Sequence, residues 1–250
     1  MRRPVLATAA AVAAAVLAAG CTYPAAGARP GATASPSVRP TVATTSTMPS
    51  GASDTARAIR AELARAKVVA ERPHVPGYAR DRFGKRWTDQ HNGLGGHNGC
   101  GTRDDILARQ LTDVRLRSGS RCVVESGTLN DPYTGRRIAF TKQQASKVQI
   151  DHIYPLARAW DLGAAKWTAQ RRTDFANDQA ANLLAVDGAT NASKGDKGPG
   201  EWMPIAAGYR CTYVLRYLEV ANTYQLAITR NDRDAAQTIT RTCARKENGR

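Results

Sequence analysis

The sequence predicts an α+β domain, mostly helix around a small hairpin, and three observations predict it. Apolar residues recur at helical spacing in several stretches between residues 54 and 246. Two strand-like runs, 121–129 and 136–141, flank the turn-forming string Asn-Asp-Pro-Tyr-Thr-Gly. Runs of helix and strand that do not alternate regularly are the pattern of α+β packing.

The chain has 250 residues, but its first fifth belongs to no domain. Residues 1–20 carry Arg2 and Arg3, then an uncharged Ala/Val/Leu run, then Ala18, Ala19 and Gly20. That is an export signal, too short and Ala-rich for a permanent membrane helix. Leu17-Ala18-Ala19-Gly20-Cys21 resembles a bacterial lipobox, which implies a lipid-modified Cys21 and a cell-surface lipoprotein; the alternative is ordinary cleavage near Gly20 and secretion. Residues 21–53, rich in Ala, Pro, Ser and Thr, have no hydrophobic period and are expected to be a flexible tether. The domain is then 54–250, long enough for one sizeable core.

Its elements follow in order. Residues 54–70 place Ala, Ile, Leu and Val on one helical face and Arg on the other, and Pro73 and Pro76 end the helix. Tyr78 to Trp87 mixes aromatic and basic residues in a partly exposed loop, and His91 to Gly101 is turn-forming. Thr102 to Leu116 reads as a second helix, N-capped by Thr102, with Ile106, Leu107 and Leu111 on one face. After the hairpin, 148–153 alternates as a short strand that Pro155 halts. Helices are expected over 156–162 and 164–177, a strand over 182–186 and a short helix over 189–194. Two more helices, 209–226 and 232–246, complete the domain.

With Cys21 set aside, Cys100, Cys122, Cys211 and Cys243 remain, and no Cys-x-x-Cys pair is present. An even count in an exported chain argues for two disulfides rather than a thiolate metal site. Three pairings are possible; sequence order favours Cys100–Cys122 with Cys211–Cys243, each contributing about 3 kcal/mol. The formal charge of +15 suits a polyanionic partner, such as nucleic acid, teichoic acid or acidic lipid, although Arg-rich coding bias gives the same excess.

The chemistry concentrates in Asp151-His152, Asn182 and Asn191-x-x-Lys194. Hydrolysing a phosphodiester needs a nucleophilic water, a stabiliser of charge and help for the leaving oxygen. A neutral imidazole serves the first, and one hard divalent cation the other two. Ile150-Asp151-His152-Ile153-Tyr154-Pro155, Asn182-Leu183-Leu184 and Asn191-Ala192-Ser193-Lys194 together resemble the HNH, or ββα-metal, endonuclease superfamily. The flanks Gly99 to Arg103, Asp131 to Gly135, Leu156 to Trp160 and Phe175 to Asp178 are similar to secreted bacterial HNH-family proteins related to the C-terminal nuclease part of GmrSD-type restriction enzymes.

The resemblance implies a ββα-metal hairpin–helix core and an endonuclease that acts on DNA more readily than RNA. In it Asp151 and Asn191 would hold one metal ion, His152 would be the general base, and Asn182 would bond backbone near His152. Lys194, one helical turn after Asn191, would bind phosphate. Beside the resemblance, Arg103 reads either as a further phosphate contact or as a structural ion-pair partner. A donor set of carboxylate and amide oxygens is hard and implies Mg²⁺ or Mn²⁺. In a regular strand Asp151 and His152 point to opposite faces, so the strand must end or twist there. The competing reading is a non-catalytic basic module that binds DNA or an anionic wall polymer, and no protein partner is implied. His91 and His97 sit in Asn-Gly turns, and Trp160, Trp167 and Trp202 read as packing residues rather than base-stacking platforms.

Overall fold

The computed structural model describes residues 52–245. The export signal, Cys21 and almost all of the expected tether lie outside the described residues. Helix α1 (Ala52–Arg65) buries Ala56 and Ile59 on one face and turns Arg57 and Arg60 outward. It packs against α6 (Arg210–Tyr224) and α7 (Arg230–Arg245). The Cys211–Cys243 disulfide joins α6 to α7, with Cα atoms 6.1 Å apart. Two short parallel strands, β1 (Val68–Val69) and β7 (Ile228–Thr229), link the two ends of this helical region. Among the described residues no helix is long and apolar enough to cross a membrane.

The second region is built on α2 (Thr102–Gln110) and an antiparallel sheet of β2 (Leu111–Leu116), β3 (Val124–Asn130) and β4 (Arg137–Thr141), in that order. The stretch expected as one helix to Leu116 therefore changes to strand at Leu111. Leu111 opposes Leu129 across the ladder and packs into the same cluster as Ile106 and Leu107, so pairing with β3 overrides local helical pattern. Register shifts interrupt this ladder between Thr112 and Leu116, where Asp113 has φ +53°. Thr102 is the first helical residue rather than the cap: Gly101 precedes it, and the threonine hydroxyl bonds Thr88 O and Asn177 Oδ1, both at 2.9 Å. The Cys100–Cys122 disulfide fastens the approach to α2 onto the approach to β3.

Strands β5 (Val148–His152) and β6 (Leu183–Asp187) form an antiparallel pair in which His152 opposes Leu183 and Asp151 opposes Leu184. Between them run α3 (Leu156–Asp161) and α4 (Ala169–Ala176); the single helix expected over 164–177 is split by Trp167 and Thr168, and Thr168 caps α4. The chain passes straight from β6 into α5 (Gly188–Lys194), where the Asp187 carboxylate accepts from Thr190 N at 2.7 Å. A Cβ at Gly188 would sit 2.0 Å from the Ser146 carbonyl oxygen, so glycine lets α5 settle against the turn before β5. This contact sets where Asn191 and Lys194 lie relative to Asp151. The α+β class holds, but helices account for less than half of the described residues, so the domain is not mostly helical.

Candidate active site

Strand β5 ends where the chemistry begins. Beyond His152 the backbone turns away, held by Ile153 N to Asn182 O and Tyr154 N to Asn182 Oδ1, both 2.8 Å. Asn182 is wholly buried and spends its side chain on this backbone. Asp151 and His152, the last two residues of β5, line one cavity of ≈ 220 Å³ together with Asn191, Arg80 and Tyr78. Their register opposite Leu184 and Leu183 is regular, so the expected break in alternation does not occur within the strand.

The His152 ring is nearly buried, 7% exposed, and is held on two sides. Its Nε2 lies 2.9 Å from the Ala176 carbonyl oxygen at the end of α4. A carbonyl only accepts, so Nε2 carries the proton and donates, and the neutral ring presents a bare Nδ1. Trp87 stacks on the ring, with centroids 5.5 Å apart and planes 10° from parallel. Burial lowers the imidazole pKa to about 3, opposed by the Ala176 carbonyl and reinforced by the charges of Arg80 and Lys194. His152 is therefore neutral across the physiological range.

Asp151 is buried as well, and each carboxylate oxygen has a side-chain partner. Tyr133 Oη donates to Oδ2 at 2.6 Å, and Lys194 Nζ donates to Oδ1 at 3.0 Å. Burial pushes the Asp151 carboxyl up while Lys194 and Tyr133 pull it back. Burial lowers Lys194 in turn, and Asp151 opposes that. Asn191 donates through Nδ2 to Gln149 Oε1 at 2.9 Å, which fixes the amide and leaves its oxygen as the free end. Each carboxylate oxygen has further lone pairs, so Asp151 and the Asn191 oxygen fit a single hard cation in this cavity.

Lys194 and Arg103, the expected phosphate contacts, are both engaged by protein groups here. The Lys194 ammonium has no exposed surface and is engaged by Asp151 and by the His152 carbonyl at 2.9 Å. The Arg103 guanidinium is turned onto the carbonyls of Ala145 and Val148, at 3.1 and 2.9 Å, where it fixes the turn that leads into β5. The other residues weighed in the sequence lie away from this cavity, as their turn and packing readings expect. His91 is buried against Thr102, and Trp160, Trp167 and Trp202 pack on the core.

Four residues of the site escaped the sequence reading. Tyr133 was read as part of a turn, Gln149 as an alternating strand position, and Arg80 and Trp87 as loop. Only Tyr133 carried a signal, since it lies inside a stretch, Asp131 to Gly135, already singled out; the others reach the site through tertiary contact alone.

Against known proteins, the model of the C-terminal domain of GmrSD restriction endonucleases matches residues 101–236. An uncharacterized secreted protein of the fungus Arthroderma benhamiae is 39% identical over 175 residues, which cover 69% of this chain and 79% of that relative. No solved structure matches the chain significantly. The matched stretch runs from the start of α2 into α7 and contains Asp151, His152, Asn182, Asn191 and Lys194. The chain belongs to the family of GmrSD restriction endonuclease C-terminal domains.

Proposed function

We propose that the protein is an exported endonuclease that hydrolyses phosphodiester bonds in nucleic acid, DNA in the first place. His152 is the general base, and one divalent cation, Mg²⁺ or Mn²⁺, is held by Asp151 and Asn191. The observation that carries this reading is a neutral histidine with a bare Nδ1 in the same cavity as a carboxylate and an oriented amide oxygen. Family membership supports the nuclease part. Residues 1–20 and the secreted relative support export; lipid attachment at Cys21 rests on the lipobox-like Leu17 to Cys21 alone. In this reading β5, β6 and α5 are the ββα-metal core, with the two strands separated in sequence by α3 and α4.

The chain's own residues then divide the work. His152 Nδ1 takes a proton from water as the water attacks phosphorus in line with the leaving 3′ oxygen, giving a 5′ phosphate. The Ala176 carbonyl holds the ring in the productive tautomer and accepts a stronger hydrogen bond as the imidazolium forms. Asn182 fixes the backbone just beyond the base, and Tyr133 and Lys194 fix the Asp151 carboxylate. A bound divalent cation supplies stabilisation for the charge on the leaving oxygen. Backbone rather than base contacts imply cleavage with little sequence preference.

The test is incubation of supercoiled plasmid and of RNA with disulfide-intact protein in EDTA, Mg²⁺, Mn²⁺ and Zn²⁺. Nicking and linearisation of the plasmid in Mg²⁺ or Mn²⁺, abolished by EDTA and leaving ligatable 5′-phosphate ends, is the expected result. Uncut DNA and RNA in every metal would sink the proposal and leave the non-catalytic binding module in its place.

A further inference from the structure

The cavity at Asp151 and Asn191 is not the only one that reaches His152. A second cleft of ≈ 260 Å³ opens on the Trp87 side of the ring, bounded by residues 80–87 and by the end of α4. Arg80 lines both openings, and Lys85 and Arg86 line the second. None of these three cationic groups has a hydrogen bond or ion pair among the described residues. Asp81 shares the lining of the second cleft without pairing to any of them. In the first cavity Asp196 is held by Arg72 at 2.9 Å.

The strap that carries these charges is fixed in place. Phe83 is 1% exposed and sits between Trp160 and Phe175, with centroids 6.3 and 6.1 Å away. Gly84 has φ +83°, and a Cβ there would come within 2.5 Å of Thr173 Oγ1, so the strap lies directly on α4. The Arg172 guanidinium accounts for the Arg82 carbonyl at 2.8 Å. The charged side chains therefore project from a pinned backbone, and binding does not have to order it first. Arg80 is partly buried, its pKa lowered by that burial and by Arg86 nearby. Two like charges that face one cleft, neither of them paired with Asp81, gain from an anion placed between them.

We infer that the cleft along residues 80–87 is the track for the phosphodiester backbone, with Arg80 on the scissile phosphate and Lys85 and Arg86 on its neighbours. The inference rests on the nuclease reading for the identity of the scissile phosphate, but the track is a binding claim in its own right. It assigns phosphate binding to a strap outside the family-matched stretch 101–236, whereas Lys194 is held by Asp151 and Arg103 Nη2 by the Ala145 and Val148 carbonyls. It also explains the position of Trp87, which walls the cleft while holding the base ring flat.

The experiment reads binding and cleavage separately on the disulfide-intact chain. A fluorescently labelled 20-base-pair DNA duplex is titrated in EDTA at several salt concentrations, and plasmid cleavage is followed in Mg²⁺ or Mn²⁺. Lys85→Ala/Arg86→Ala is compared with Arg60→Ala/Arg241→Ala, which removes the same charge from the groove between α1 and α7. The first pair should weaken binding about tenfold and flatten the log–log salt slope by about two, one per lost phosphate contact, and the second should do neither. Arg80→Ala should flatten the salt slope by about one and lower the cleavage rate about a hundredfold at saturating DNA, and Arg80→Lys should recover part of both. Equal weakening by the two double variants, or full cleavage by Arg80→Ala, overturns the inference while wild-type cleavage upholds the nuclease. If the wild type cuts nothing, the nuclease reading falls, and the salt slopes alone decide whether the track exists.

Discussion

Among the described residues stand two buried cation–carboxylate pairs, built to opposite ends. Arg158 on α3 meets Asp232 on α7 at 2.6 Å, and neither side chain is more than 1% exposed. Around them Tyr217 Oη, Thr229 Oγ1, Gly200 N and Thr229 N complete the hydrogen bonds, with Glu201 closing the outer side at 2.5 Å. Lys194 and Asp151 are as deeply buried, but their surroundings are incomplete by design. Asp151 has one side-chain partner per oxygen, and the pair lies under a cavity that also holds a bare imidazole nitrogen. A buried pair enclosed by further protein groups fixes helices to each other. In the proposed function, the pair that lies under a cavity serves a site for a cation and a phosphate.

Removing one partner from each pair sharpens the contrast. Asp232→Ala strands the Arg158 charge in the closed cluster and should cost about 3 kcal/mol, near the lower bound for a broken buried pair because Glu201 remains. Lys194→Met should cost less, about 2 kcal/mol, because the Asp151 oxygen it releases faces a cavity that water can enter. Urea unfolding of both variants measures this, and a larger loss for Lys194→Met would break the comparison. Cleavage should separate them the other way, with Lys194→Met lowering activity strongly and a folded Asp232→Ala leaving it near wild type.

The smallest effect is a pH dependence. Burial depresses His152 from the ordinary value near 6.5 to about 3, so below pH 6.5 the unfolded chain binds a proton that the folded chain refuses. Stability is thus full above pH 6.5 and falls toward pH 3, by about 1.4 kcal/mol per unit from this group. His152→Gln removes that component, so the difference in stability between wild type and variant, measured in EDTA from pH 7 to 4, should shift in the variant's favour as pH falls. A difference independent of pH would mean that the ring is solvated.

What sequence made legible was local or patterned. Alternation placed β5, helical spacing placed α1 and α6, and the order of the cysteines placed both disulfides. Leu111 to Leu116 was lost because its leucine spacing continues a helical face, whereas the deciding partner, β3, lies a hairpin away. In the site, Asp151, His152 and Asn191 were visible as a motif, but the engagement of Lys194 was not. A lysine one turn after Asn191 looks the same in sequence whether it points to solvent or folds under the strand onto Asp151. Arg80 and Trp87 were invisible for a further reason: Phe83 and Gly84 anchor their strap on α4, some ninety residues away in the chain.

The central claim is that the bare nitrogen of His152 performs the proton transfer of phosphodiester hydrolysis. The most direct measurement is cleavage of supercoiled plasmid by wild type and His152→Ala side by side in Mg²⁺ or Mn²⁺, with folding and duplex binding confirmed on the same samples. The account predicts equal binding and a loss of cleavage of at least about a hundredfold in the variant. Cleavage at the wild-type rate by folded His152→Ala would contradict it.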